Sequence, residues 1–86
     1  MAITRVIQEQ VLGCHSIAFD EHALTRMAER SVSEDDVVEV LRSPDQTSLP
    51  TQPNRERYRK RIGNRSVDVV FEIDPTQVVV ITVVAR

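Results

Sequence analysis

Cysteine, glycine and long apolar runs are all scarce in this 86-residue chain, and each shortage closes off a class of protein. The lone Cys14 cannot form an internal disulfide. Without further Cys or clustered His around it, it gives no structural metal site either. It therefore reads as a packing residue. Neither of the two glycines sits in a Gly-rich phosphate loop. No metal and no cofactor is expected. No stretch approaches the roughly 20 apolar residues that cross a bilayer. The N-terminus also lacks the basic-then-apolar layout of a secretory signal. The expected compartment is the cytoplasm, with no membrane partner.

What is present is an ordinary globular composition, with 41% apolar and 28% charged residues, far from the signature of disorder. A chain of this length has room for one core and buries somewhat more than about 60% of its unfolded surface. The expected organisation is an N-terminal extension over residues 1 to 15, as helix or edge strand, followed by one α+β domain over residues 16 to 86.

The formal net charge of −2 hides a strong polarity. Residues 20 to 45 hold eight acids against three bases, whereas Arg55, Arg57, Arg59, Lys60, Arg61 and Arg65 face Glu56 alone over residues 55 to 65. A basic segment of this density points to an anionic partner, even though the whole chain is a poor match to a nucleic-acid binder.

Ile3, Val6, Ile7 and Val11 fit a helical stripe, while the short apolar runs also suit an edge strand; residues 1 to 15 lean towards helix. Gly13 interrupts the pattern, and residues 16 to 19 read as a short extended lead-in. Asp20 is placed to cap a first helix running to about Arg30, with Phe19 and Leu24 as a hydrophobic staple. Ala23, Leu24, Met27 and Ala28 give that helix its apolar stripe, while His22, Arg26 and Arg30 align on another face. Ser33 and Asp36 form a capping box for a second helix, whose inward residues are Val37, Val40 and Leu41. Pro44 ends it near Arg42 or Ser43. After a loop marked by Pro50 and Pro53, three strands are expected at about 55 to 62, 65 to 73 and 77 to 85. Gly63-Asn64 and Asp74-Pro75-Thr76 are their turns. The predicted order is (β)ααβββ, with two helices packed on a three- or four-stranded antiparallel sheet. The last strand is apolar on both alternating sets, so it is either central or covered by a partner chain.

Alternation puts Arg55, Arg57, Arg59 and Arg61 on one face of the first strand of the meander. Guanidinium forks match phosphate oxygens, so with Arg65 they form a candidate nucleic-acid track. The competing reading is neutralisation by the acidic helices of the same chain or of a dimer mate. His22 lies at a helix start, beside Arg26 and Arg30. This is the composition of a general acid or base with cations to stabilise a phosphoryl transition state. Tyr58 can stack on a base or donate a proton; its alternative is a place in the core.

The run Phe19-Asp20-Glu21-His22-Ala23-Leu24-Thr25-Arg26-Met27-Ala28-Glu29-Arg30, then Val32 to Val37 and Ser43-Pro44-Asp45, resembles the small bacterial family DUF4258. The hallmark of that family is HAxxRMxER, followed by a Tyr-bearing strand and a valine-rich final strand. The resemblance covers about residues 17 to 85. It implies a fold similar to the RelE and ParE toxins and to metal-independent ribonucleases of that (BECR) type. It also implies RNA as a substrate, with His22 as acid or base, Arg26 and Arg30 as phosphate ligands, and Arg57, Tyr58 and Arg59 as contacts from the sheet.

Three functional expectations follow. The first is a toxin-like, metal-independent RNA endonuclease or RNA-binding domain, with catalysis by His22, Arg26, Arg30 and Tyr58. The second is a non-catalytic module for an acidic or antitoxin-like protein partner. The third is a homodimer formed through the C-terminal strand.

Overall fold

The computed structural model describes residues 2–86 and shows an α+β fold of two helices on one mixed, five-stranded sheet. The elements are β1 (Ile3–Ile7), β2 (Ser16–Asp20), α1 (Glu21–Arg30), α2 (Glu34–Arg42), β3 (Glu56–Ile62), β4 (Arg65–Ile73) and β5 (Gln77–Ala85). The strand order is β1-β2-β5-β4-β3, in which β2 and β5 run parallel and every other pair is antiparallel.

Two expectations are corrected here. The N-terminal segment, leaning to helix by its spacing, takes the edge-strand alternative instead, as β1 at the margin of the same sheet; Met1 lies outside the described residues. Four of its five residues are β-branched, and β2 offers an edge for them to pair with. A tight turn joins the two strands. Leu12 and Gly13 both have positive φ (52° and 77°), and Val11 and Cys14 exchange both backbone hydrogen bonds across them (3.2 and 2.8 Å). The sheet is also larger than expected and not wholly antiparallel. The two helices and the β3–β4 hairpin together make the long connection that a parallel β2–β5 pairing needs.

Both helices begin where their caps dictate. The Asp20 carboxylate accepts from the His22 backbone N–H (3.1 Å) and from the Ala2 N–H (3.0 Å), fastening β1 to the start of α1. Ser33 and Asp36 close the capping box at α2 with bonds of 3.0 and 3.1 Å. Helix α1 ends as Ser31 turns left-handed (φ 55°) and the Val32 N–H reaches back to the Met27 carbonyl (2.9 Å).

Helix α1 lies over β5, β2 and β1, and α2 over β3 and β4, on one side of the sheet. The main core is on that side, with Ala23, Met27, Val37, Val40 and Leu41 meeting Ile17, Phe19, Val67, Val69, Phe71, Val78, Val80 and Val83. Ala28, expected in the apolar stripe, is exposed. Strand β5 is the middle strand of the five, which accounts for its unbroken apolar character. A bulge re-phases it: Phe71 pairs with Val80 and Val70 with Thr82, leaving Ile81 between them. Val78, Val80 and Val83 thus share the helix side, whereas Val79 and Ile81 join Ala18 and Val70 in a second buried cluster on the side without helices.

Candidate binding face

The bare face of the sheet is set by the hairpin at Gly63-Asn64. Gly63 takes the positive φ (65°) that a two-residue hairpin turn needs, pairing Ile62 with Arg65 and, by counting back, Arg61 with Ser66, Arg59 with Asp68 and Arg57 with Val70. Val67, Val69 and Phe71 point to the helices, so Ser66, Asp68, Val70 and Glu72 point the other way. The arginines opposite them do the same. The alternation expected for Arg55, Arg57, Arg59 and Arg61 therefore places all four on the face without helices.

Most of this row is already occupied by carboxylates of its own chain. Arg59 grips Asp68 with two nitrogens (Nε–Oδ1 2.7 Å, Nη2–Oδ2 2.9 Å), and Arg57 reaches the same carboxylate (Nε–Oδ2 2.8 Å). Arg55 pairs with Glu72 at 3.3 Å. The Asp68 side chain is only 3% exposed, against 22% for Arg57 and 31% for Arg59. Burial alone would push the Asp68 carboxyl up. The hydrogen bonds from Arg59 and Arg57, together with their charges, outweigh it and hold the group below the ordinary aspartate value. The same pairing raises Arg59. Asp68 is the residue that sequence reasoning missed, although the hairpin register was enough to place it opposite Arg59.

Arg61 and Arg86 complete the face at one end. Arg86 exchanges both backbone hydrogen bonds with Ser66 (3.0 Å each), so Arg61, Ser66 and Arg86 stand side by side across β3, β4 and the end of β5. Neither guanidinium has a carboxylate within ion-pair distance among the described residues. Beyond them the face continues through half-buried Val84 and Thr82 to Val70, Val79, Ile81 and Ala18, which are apolar and already buried.

The other expected site residues lie elsewhere. His22 is exposed in the first turn of α1, on the helix layer. Arg26 and Arg30 share Glu29 (2.8 and 3.7 Å) on the same helix. Tyr58 faces the core and meets Phe71 edge-on, with ring centroids 4.9 Å apart at 84°. This is the packing alternative, and it leaves no aromatic ring on the bare face for a base to stack on. Arg65 is turned to the helix side, where its guanidinium donates to the carbonyls of Arg30 and Ser31 and closes the C-terminal end of α1. The sheet thus stands between Arg55, Arg57, Arg59 and Arg61 and the imidazole expected to move a proton, whereas Arg26 and Arg30 share α1 with His22. Among the described residues, no group of three His, Cys, Asp or Glu is placed to hold a metal ion, and no helix is long and apolar enough to cross a membrane.

A family model described as a domain of unknown function, DUF4258, matches residues 19–85. The chain belongs to this family. The match takes in both helices and strands β3 to β5, and so the whole arginine and Asp68 network; β1 and most of β2 precede it. No curated protein matches the chain, and no solved structure matches it.

Proposed function

We propose that this chain is a non-catalytic protein-interaction module whose bare sheet face receives an acidic, amphipathic segment of another protein. The observation that carries this reading is the internal neutralisation of the arginine row. With Asp68 clamped between Arg57 and Arg59, and Glu72 beside Arg55, three of the five arginines of the expected phosphate track have their forks filled by carboxylates. The charge that remains available is at Arg61 and Arg86, next to half-buried Val84 and Thr82, with the buried cluster of Ala18, Val70, Val79 and Ile81 beyond. An amphipathic segment with a carboxylate at one end and apolar side chains along it matches that distribution.

The ribonuclease reading asks for His22, Arg26, Arg30, Tyr58 and the arginine strand around one phosphodiester. Their positions on two layers and in the core give it less support than binding receives. RNA is accordingly the alternative outcome of the test.

The experiment compares wild type, Arg61→Glu/Val84→Lys and His22→Ala as baits in cells of the source organism, with captured proteins identified and labelled RNA followed in parallel. A binding module enriches a defined partner that the double variant loses by at least about tenfold, while His22→Ala retains it and RNA stays intact with all three. RNA cut by wild type and spared by His22→Ala would reverse the assignment.

A further inference from the structure

The two edges of the sheet are treated differently by the fold. At the β3 edge, residues 45 to 49 run alongside: the Asp45 and Gln46 N–H groups donate to the Arg59 carbonyl (2.8 and 3.1 Å), Arg59 N–H donates to Gln46, and Leu49 N–H donates to Arg57. A strand dense in arginine, with its backbone bonded over this stretch, is a protected edge. Among the described residues, the β1 edge has no such cover. Its sequence is Ile-Thr-Arg-Val-Ile, without proline, and Ile3 and Val6 are 46% and 44% exposed. Its one charge is turned away, because Arg5 is held by both oxygens of Glu34 at the start of α2 (2.7 and 3.1 Å).

We infer that β1 is the pairing edge for a second copy of this chain, joined antiparallel about a two-fold axis. The bare-face register indicates the occupant. Val6 lies opposite Ala18, and Ala18 opposite Val79, so an apolar row crosses β1, β2 and β5. Ala18 and Val79 are 0% and 3% exposed, but the row ends at the sheet margin on half-open Val6. A two-fold mate brings the same row in reverse order and continues it through its own Val6, and the backbone groups of the β1 margin gain partners at the same time. The axis keeps the helices of both copies on one side of a ten-stranded sheet. The C-terminal strand, expected to mediate a dimer, has both its edges taken by β2 and β4 and leaves edge pairing to β1. This inference stands apart from the proposed partner, which needs only the bare face.

Sedimentation of the full chain from micromolar to millimolar concentration tests it, together with hydrogen exchange of the Thr4 to Ile7 amides at both ends of the range. Wild type should pass from monomer to dimer, with the β1 amides slowing as it does. Val6→Lys sets like charges beside each other at the two-fold and should weaken the dimer by about tenfold or more. Leu12→Lys, at an exposed residue in the adjacent turn, should leave it unchanged. Wild type that stays monomeric throughout would overturn the inference. So would a dimer that survives Val6→Lys, that Leu12→Lys dissolves, or in which the β1 amides exchange equally fast at both concentrations.

Discussion

Strand β4 contributes to both faces of the sheet, and the two faces are held by different forces. Towards the helices, Val67, Val69 and Phe71 are fully buried among apolar side chains. One residue out of phase, Asp68 is buried almost as deeply on the other side, yet it is held there by two guanidinium groups. The covered face is stabilised by area removed from water. On the bare face, the same depth of burial tolerates a charge only because its partners are fixed in register across the hairpin. The comparison shows why a row of arginines in sequence is a poor guide to where phosphate binds. A single in-phase carboxylate on the neighbouring strand turns such a row into internal structure.

The largest change should come from the covered face. Phe71→Ala removes a fully buried ring that also supports Tyr58, and should lower unfolding stability by about 3–5 kcal/mol in urea denaturation. Asp68→Ala should cost less, about 2 kcal/mol, because the stranded guanidinium groups can turn to water. A loss equal to that of Phe71→Ala would mean that the bare face is as much a core as the other.

The pH dependence sharpens the contrast. The folded-state pKa of Asp68 lies below its unfolded value, so its contribution is complete above about pH 3.9 and is lost as pH falls through the folded value. Melting temperatures of wild type and Asp68→Asn, far apart near neutrality, should converge under acid, whereas the deficit of Phe71→Ala persists. Ser33→Ala removes one capping bond at α2 and should cost about 1 kcal/mol, read from the same denaturation curves. His22→Ala, at an exposed side chain, should shift stability by no more than about 0.5 kcal/mol.

Much of this fold was legible in local chemistry. Asp20 and the Ser33/Asp36 pair marked both helix starts, and Gly63-Asn64 with Asp74-Pro75-Thr76 marked the strands between them to within a residue. What escaped depended on partners distant in sequence. The spacing of Ile3, Val6 and Ile7 suits one face of a helix, and only pairing with β2 makes the segment a strand. The parallel neighbour of β2 is about 60 residues further on, and the bulge at Ile81 shifts the alternation of β5 partway along it. For the site, the common face of the arginines was readable from alternation. The capping role of Arg65 and the core position of Tyr58 depended on the packing of the helices.

The most direct test of the account is the carboxyl titration of Asp68, followed by carbon-detected NMR with and without added RNA. The account predicts a midpoint below the ordinary aspartate range, raised towards it by Arg57→Gln/Arg59→Gln, and unmoved by RNA. A midpoint at or above the ordinary value in wild type, or Arg57 and Arg59 signals that shift as RNA is added, would mean that the guanidinium row is open to phosphate and would contradict it.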